Sequence, residues 1–407
     1  MTENDIQRIS AWIVERGLAG ASETDLLCGF SAECLLAGLD LSTSMTLVDT
    51  LHPVYEGRAF LWSKDGSEEE PVFEYSSTSD GEMAERWRRS AFYHLLTTDT
   101  DEVRRRLGKD DPLDFHYLDE FKAEGKTDYL ALIHRFSKDS IIGEMDCVYT
   151  NWTTCHPEGF CDDDLHALRR LVPSLALAIK CASLTRIAGT LVEVYLGRDA
   201  GQRVLAGRIS RGVTERINAV LWFSDLRGYT TITDSAPPAE IIPLLNDYAE
   251  VVISAIHEAG GDVLKLIGDG TLAIFKADDP ASACLSALRA EAKLRAGIQA
   301  LNERRTAEGR PTTSVYLGLH IGDVFYGNIG SDERLDFTVV GPAVNEVSRI
   351  VAMCRSVDRK LVVSSDFAHA TPHPERANLV SVGRYALRGV GRAQELFTLD
   401  PALTATP

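Results

Sequence analysis

The sequence predicts an α+β protein with two domains, each built on an antiparallel sheet, and a long helix that joins them. Apolar residues recur at helical spacing in several long stretches, which predicts amphipathic helices. Short apolar runs flank polar or glycine-containing turns in pairs, which predicts β-hairpins. The two patterns alternate in both halves of the chain, and this is typical of a sheet packed against helices. A length of 407 residues, at roughly 150 residues per domain, also predicts two or three domains.

Residues 1–182 are predicted to form the first domain. Helical spacing marks three stretches, which are Ile6–Leu18, Glu23–Leu36 and Glu82–Leu96. Paired apolar runs predict two hairpins, which are Arg58–Trp62 with Val72–Tyr75, and Tyr129–Phe136 with Ile142–Tyr149 across the turn Ser137–Ser140. This order of helices and hairpins resembles that of a GAF-type sensor domain. The resemblance implies a regulatory domain, which either holds a small-molecule effector or only dimerises.

Residues 183–214 are predicted to form a signalling helix and a linker. An apolar stripe at helical spacing begins after the acidic residues 162–164, which are favourable at a helix N-terminus, and continues to Val194. Its first half is expected to cap the first domain, whereas its second half suits a dimer coiled coil or a signalling helix. Pro173 predicts a kink or a break. The polar, glycine-containing segment Gly197–Gly212 is predicted to be the linker.

Residues 215–400 are predicted to form the second domain, with the split β-α-β order that is also called ferredoxin-like. The predicted elements are, in chain order, strand Ala219–Phe223, helix Ala239–Ala259, a hairpin of Val263–Ile267 and Thr271–Phe275, helix Ala281–Glu303, a hairpin of Val315–His320 and Val324–Ile329 across Gly322-Asp323, a strand ending at Val339–Gly341, helix Ala343–Cys354, and strands at Leu361–Ser364 and within Ser381–Leu399. Helices that alternate with paired strands predict a sheet that carries its helices on one face.

The composition restricts the partners and the location of the protein. A net charge of −18 at pH 7 excludes nucleic acid and anionic membrane surfaces as expected partners, because both attract basic proteins. No run of about 18 apolar residues occurs, so no membrane insertion is predicted. The acidic N-terminus lacks the apolar stretch of a signal peptide. The eight cysteines are therefore expected to be reduced thiols in a cytoplasmic protein.

Two aspartates stand at positions where a sheet edge could bring them together. Asp225 follows the apolar strand Ala219–Phe223, and Asp269 lies in the turn of the first hairpin. Taken singly, Asp225 is typical of a helix cap and Asp269 of a hairpin turn. Taken together, two carboxylates at one edge of a sheet could bind Mg²⁺ or Mn²⁺ and leave coordination sites for phosphates.

Three segments around these aspartates carry a family resemblance. FSDLRGYT at 223–230, GGDVLKLIGDGTLAIF at 260–275 and RLDFTVVGPAVNEVSRI at 334–350 closely resemble the class III adenylyl/guanylyl cyclase family. The resemblance covers about 217–399, with the motifs in the order and at the spacing of the family. It implies a sheet with surrounding helices, two bound Mg²⁺ or Mn²⁺ ions, and a homodimer with its active sites at the subunit interface.

The resemblance assigns the residues of the metal site and of catalysis. Asp225 and Asp269 correspond to the metal-binding aspartates, and Leu226 corresponds to the residue whose carbonyl is a metal ligand. Asn345 and Arg349 match the pair that positions the ribose and stabilises the transition state. These two residues are i and i+4 on a predicted helix, and hence lie on one face.

The resemblance also assigns residues that bind the nucleotide. Lys265 occupies the purine-selecting position and Thr338 its partner position, where many members have Asp. Arg388 lies where a basic residue binds the terminal phosphates, and Arg334 is a second candidate for that role. Lys265 is a donor that suits adenine N1, and the Thr338 hydroxyl can accept from N6, whereas guanine reverses both requirements. The expected substrate is therefore ATP.

Other functions remain open from the sequence. A Thr at position 338 resembles a subgroup of the family whose members are often stimulated by bicarbonate, which makes bicarbonate a candidate effector. A guanylate cyclase and a catalytically silent nucleotide-sensing module are the alternatives to an adenylate cyclase. A diguanylate cyclase is set aside, because its hairpin turn reads GG[DE]EF and the turn here reads IGDGT.

Overall fold

The computed structural model describes residues 1–66, 71–76, 78, 80–109, 111–137, 139, 141–388, 390–391 and 393–400. The chain divides into two compact units, Met1–Leu191 and Val192–Pro407. Each unit combines helices with a mostly antiparallel sheet, so the predicted α+β class is confirmed.

The N-terminal unit is built on a six-stranded sheet in the order β3-β2-β1-β6-β5-β4, in which every neighbouring pair is antiparallel. Its strands are β1 Thr43–Asp49, β2 Gly57–Ser63, β3 Val72–Tyr75, β4 Glu102–Arg105, β5 Asp128–Arg135 and β6 Cys147–Thr154. Its helices are α1 Glu3–Leu18, α2 Glu23–Leu36, α3 Gly81–Arg88, α4 Ala91–Thr97, α5 Leu118–Ala123 and α6 Asp162–Leu196, which continues past the end of the unit. This arrangement is consistent with a GAF-like domain.

Local cues missed several details of the N-terminal unit. The central strand β1 and the short edge strand β4 were not predicted from the sequence. The helix predicted over Glu82–Leu96 is two helices, because the Ser90 hydroxyl accepts the Tyr93 N–H at 3.1 Å and so caps a new helix. The second strand of the second hairpin is Cys147–Thr154 rather than Ile142–Tyr149. Residues 138 and 140 of the predicted turn between these strands lie outside the described residues.

Helix α6 runs through Pro173 without the predicted break. Its buried residues extend from Leu165 to Ile187 and belong to the core of the N-terminal unit. Within the described part of the chain, α6 is also the one helix long and apolar enough to cross a membrane by length and composition. A helix that is buried in the core of a domain passes the same test of length and composition.

The C-terminal unit is built on an eight-stranded sheet in the order β13-β14-β12-β10-β7-β9-β8, with β11 paired to β10. Its strands are β7 Thr214–Leu226, β8 Asp262–Ile267, β9 Gly270–Lys276, β10 Val315–Gly330, β11 Leu335–Val340, β12 Leu361–Ser364, β13 Leu379–Tyr385 and β14 Gln394–Leu399. Its helices are α7 Arg198–Leu205, α8 Tyr229–Ser235, α9 Pro238–Glu258, α10 Pro280–Ala307, α11 Pro342–Val357 and α12 Ser365–Ala370. The order β10-β7-β9-β8, with α9 and α10 as the connections, is the predicted ferredoxin-like core.

The hairpin predicted across Gly322-Asp323 is wrong, because β10 passes through both residues as one strand. It pairs with β7 continuously from Val315 opposite Leu226 to Gly327 opposite Thr214. A Cβ atom at Gly322 would lie 2.9 Å from the Cβ of Ala343 on α11, so the glycine allows the helix to approach. Asp323 accepts a hydrogen bond from Asn218 Nδ2 of β7 at 2.9 Å. The hairpin closes instead at residues 331–334, between β10 and β11.

The helices of the C-terminal unit lie on both faces of the sheet, not on one face as predicted. Val220 and Trp222 of β7 pack with α9 and α10 in one core. The alternate residues Ala219 and Leu221 pack with α7 and α11 in another, and alternate residues of a strand point to opposite faces. Helix α11 lies close to β10, because a Cβ atom at Gly318 would be 2.8 Å from a main-chain nitrogen of that helix.

Half of the segment predicted as a linker is helical. Within Gly197–Gly212, residues Arg198–Leu205 form α7. Asp199 of this helix accepts a hydrogen bond from Tyr326 Oη at 2.8 Å and pairs with Lys276 and Arg203. Polar side chains of this segment therefore form ion pairs and hydrogen bonds with the sheet. Composition alone does not distinguish such contacts from exposure to solvent.

Candidate active site

Two carboxylates meet at one end of the β7–β9 strand pair. Asp225 is the penultimate residue of β7, and Asp269 lies in the turn that joins β8 to β9. Ser224 pairs with Thr271 across the β7–β9 ladder, which brings the turn beside the end of β7. Both aspartates line a cavity of about 170 Å³. The juxtaposition predicted from the sequence is therefore present in a single chain.

Glycines shape the turn that carries Asp269. Gly268 has a φ of 62°, in the left-handed region that glycine adopts without strain. A Cβ atom at Gly270 would lie 3.0 Å from the main-chain oxygen of Ser224, so the turn lies directly against β7. The two glycines of the GDG motif thus allow the turn that places the Asp269 carboxylate beside β7.

Burial and the neighbouring Asp269 perturb the carboxyl group of Asp225. Burial, the side-chain hydrogen bond to Asp269 and the charge of Asp269 raise the pKa of Asp225 to about 6, and the Leu226 N–H opposes this shift. Two adjacent carboxyls repel when both are ionised, and a divalent cation between them would remove that cost. Leu226 also lines the cavity. The donor set is all oxygen, which suits Mg²⁺ or Mn²⁺.

A metal ion at Asp225 and Asp269 would need further ligands that are not acidic, His or Cys side chains. Among the described residues, no group of three or more His, Cys, Asp or Glu side chains could hold a metal ion. A cation at Asp225 and Asp269 would therefore complete its shell with main-chain, water or phosphate oxygens, as Mg²⁺ commonly does.

Lys265 lies on β8 and its ammonium pairs with the carboxylate of Asp336 on β11. The predicted partner, Thr338, lies two residues further along β11 and hence on the same side of that strand. Thr338 is only 7% exposed, whereas the Asp336 side chain is 45% exposed. Sequence reasoning missed Asp336, although it lies in the quoted segment RLDFTVVG and strand alternation could have identified it.

Asn345 and Arg349 lie on α11, and neither lines the cavity that holds the two carboxylates. Asn345 is exposed and Arg349 is partly exposed. Over the residues that the structure describes, neither side chain makes a hydrogen bond or ion pair to another residue of the chain. One chain therefore does not bring this pair and the carboxylates into one site.

The two predicted phosphate-binding arginines also lie outside the cavity. Arg334 is in the turn between β10 and β11, where its N–H donates to Ser331 Oγ at 3.2 Å. Arg388 follows β13, and both side chains are exposed. The cavity lining contains no Lys or Arg among the described residues.

The comparisons with known proteins concern the C-terminal half. Residues 213–400 match the family model of the adenylate and guanylate cyclase catalytic domain, so the resemblance predicted over 217–399 is confirmed. An adenylate cyclase from Anabaena cylindrica is 34% identical over 175 residues, which cover 42% of this chain and 34% of that protein. An uncharacterized protein from Mycobacterium tuberculosis (strain ATCC 25618 / H37Rv) is 33% identical over 206 residues, which cover 49% of this chain and 36% of that protein.

The chain thus spans about a third of the length of these relatives. Among solved structures, the adenylyl cyclase CyaB from P. aeruginosa is 22% identical, with a TM-score of 0.42 over 46% of this chain and 95% of that one.

Proposed function

We propose that this protein is an adenylate cyclase, because residues 213–400 match the family model of the adenylate and guanylate cyclase catalytic domain. It converts ATP to 3′,5′-cyclic AMP and pyrophosphate. The observation that carries the choice of ATP is the pairing of Lys265 on β8 with Asp336 on β11.

The purine edge decides between ATP and GTP. Adenine presents an acceptor at N1 and a donor at N6, so it needs one donor and one acceptor from the protein. The Lys265 ammonium only donates, and the carboxylate of Asp336 only accepts. Guanine presents the opposite pattern at the equivalent positions, and would require an acidic residue in place of Lys265. Asp336 is the more accessible acceptor, and Thr338 is a second one behind it.

The metal-binding residues are proposed to act on the phosphates and the attacking hydroxyl. Asp225, Asp269 and the main chain of Leu226 would hold Mg²⁺ or Mn²⁺. When bound, these ions neutralise phosphate charge and lower the pKa of the ribose 3′-hydroxyl. In the same reaction, Asn345 orients the ribose as a neutral hydrogen-bonding group, and the planar guanidinium of Arg349 donates to the oxygens of the reacting phosphate.

A complete site is proposed to require two chains. The carboxylate pair and the α11 pair do not share a cavity in one chain. Large apolar side chains are exposed on the strands β8, β10 and β11: Leu266 57%, Ile267 48%, Phe325 51% and Val340 41%. Such exposure is typical of an interface. A homodimer would combine the carboxylates of one chain with Asn345 and Arg349 of the other, and would have two such sites.

The remaining proposals concern regulation. The unit Met1–Leu191 is proposed to control activity, through a small-molecule effector or through dimerisation. Bicarbonate is a candidate effector of the catalytic unit, and the protein is proposed to act in the cytoplasm. Adding bicarbonate to the cyclase assay tests the proposal that bicarbonate is an effector, with chloride at equal ionic strength as the control.

Incubation of the full chain with ATP or GTP and Mn²⁺ or Mg²⁺, followed by assay of the cyclic products, tests the main proposal. Cyclic AMP formation with higher kcat/KM for ATP is the expected result. A preference for GTP would identify a guanylate cyclase instead. Binding of nucleotide without any cyclic product would identify the silent sensing module.

A further inference from the structure

We propose that Arg227 binds the terminal phosphates of the nucleoside triphosphate, a role that no motif assigned to it. The proposal rests on the proposed function, because it requires a polyphosphate substrate at Asp225 and Asp269. Four observations support it, and they concern the main chain, the orientation, the pairing and the charge of the site.

The main chain of Arg227 is held on both sides. Arg227 directly follows Leu226, the last residue of β7. Its N–H donates to the Ser314 carbonyl at 2.8 Å, and its carbonyl accepts from Thr313 Oγ1 at 2.6 Å. The side chain therefore starts from a fixed point next to the metal-binding carboxylates.

An aromatic ring fixes the direction of the side chain. The guanidinium carbon of Arg227 lies 5.9 Å from the ring centroid of Tyr316. Tyr316 is directly opposite Asp225 in the antiparallel β7–β10 ladder, and directly opposite residues project to the same side of a sheet. The cation therefore lies on the side of the sheet to which Asp225 projects. Contact with a ring face uses none of the N–H donors of arginine, so they stay available for phosphate oxygens.

Arg227 has no acidic partner. It is exposed, and within the described residues its side chain makes no ion pair or hydrogen bond. In the same unit, Arg295, Arg305 and Arg310 all pair with carboxylates. In a chain with a net charge of −18, an unpaired guanidinium two residues after Asp225 is available to an anionic ligand.

The residues that line the cavity include no positive charge that could bind the terminal phosphates, among those that the structure describes. The cavity lining includes two aspartates and no basic residue among the described residues. A metal ion neutralises the carboxylates and part of the phosphate charge, but the departing pyrophosphate still develops negative charge. Arg227 is placed to balance it from the same chain that holds the metal.

Calorimetric titration of the full chain with pyrophosphate in the presence of Mn²⁺ tests this directly, without turnover. Loss of a charge-assisted contact in Arg227→Ala is expected to weaken pyrophosphate binding by about 10-fold or more. Arg227→Lys should fall between, because it keeps the charge but not the planar fork. Tyr316→Leu should weaken binding less than Arg227→Ala. Arg289→Ala is the matched control, since Arg289 is an exposed arginine that lies on α10 and not next to the end of β7.

A second titration uses cyclic AMP, which lacks the terminal phosphates. Its affinity should be the same within twofold in wild type and Arg227→Ala. The proposal is overturned if Arg227→Ala binds pyrophosphate like wild type, if it loses cyclic AMP to the same extent, or if wild type binds no pyrophosphate. Failure of the proposed function is a separate result, because the cyclase assay alone decides whether wild type forms cyclic AMP.

Discussion

The carboxyl groups of Asp225, on β7, and Asp269, in the turn between β8 and β9, line one cavity, because the β7–β9 pairing brings the turn beside the end of β7. Burial, together with the neighbouring Asp269 carboxyl, raises the pKa of Asp225 to about 6. A like-charge pair of this kind lowers stability when no cation is present and provides affinity when one is.

Asp225→Asn is expected to abolish activity while stabilising the metal-free protein. Because the folded pKa of about 6 is above the ordinary value of 3.8, ionisation costs stability as the pH rises from about 4 to 6. At pH 8 in EDTA the variant should be more stable by about 1 kcal/mol, a value reduced for the half-exposed site. Its cyclase activity should fall by at least about 100-fold. Urea unfolding and a cyclase assay measure both effects, and a variant that is inactive yet still stabilised by Mn²⁺ as strongly as wild type would contradict the metal assignment.

Mixing Asp225→Ala with Arg349→Ala chains is expected to restore activity. Random pairing makes half of the dimers mixed, and each mixed dimer has one intact site of two, so about a quarter of the wild-type activity should return. Each variant alone should be inactive. Different affinity tags on the two chains show whether mixed dimers form. If they form and remain inactive, the site is not shared between chains.

Asp336→Ala should affect substrate selection more than Thr338→Ala. The carboxylate of Asp336 is paired with Lys265 and is more exposed than the Thr338 hydroxyl. Loss of this acceptor is expected to lower kcat/KM for ATP by about 10-fold, whereas Thr338→Ala should cost about threefold. The ratio of kcat/KM for ATP to that for GTP is the measurement. The opposite order of effects would restore Thr338 as the principal acceptor.

The N-terminal unit should lose stability as the pH rises from about 4 to about 7 because of Asp49. Burial raises the pKa of Asp49 to about 7, and the nearby carboxylates of Glu56 and Asp146 add to this, while a hydrogen bond from Tyr75 Oη at 2.7 Å opposes it. The unfolded value is near 3.8, so the stabilisation is complete below about pH 4 and is lost by about pH 7.

Asp49→Asn should remove this dependence and stabilise the protein at pH 8 by about 2 kcal/mol. Urea unfolding of both proteins at pH 5 and pH 8 provides the comparison, with Asp40→Asn as the control, because Asp40 is a partly exposed carboxylate paired with Lys64. Equal pH dependence in wild type and Asp49→Asn would show that the carboxyl ionises freely in the folded state.

The local sequence pattern was sufficient to predict much of the fold of the C-terminal unit. The hairpin of β8 and β9, the long helices α9 and α10 and the helix α11 were predicted close to their observed bounds, because each has a clear periodicity and a turn or cap at its end. It failed at Gly322-Asp323, where a glycine serves helix packing rather than a turn. It also failed for β1, which pairs on one side with β6, a strand far along the chain.

The sequence by itself identified the candidate site residues of the C-terminal unit. The carboxylates Asp225 and Asp269 and the α11 pair could be identified from residue types, their order and their spacing. Only the tertiary structure decided which side chains stand beside them: Asp336 at Lys265, and Arg227 over Tyr316. The physical reason is strand register. The pairing of β7 with β10 joins residues distant in the chain, β11 then pairs with β10, and a shift by one residue in either ladder would turn each side chain to the other face.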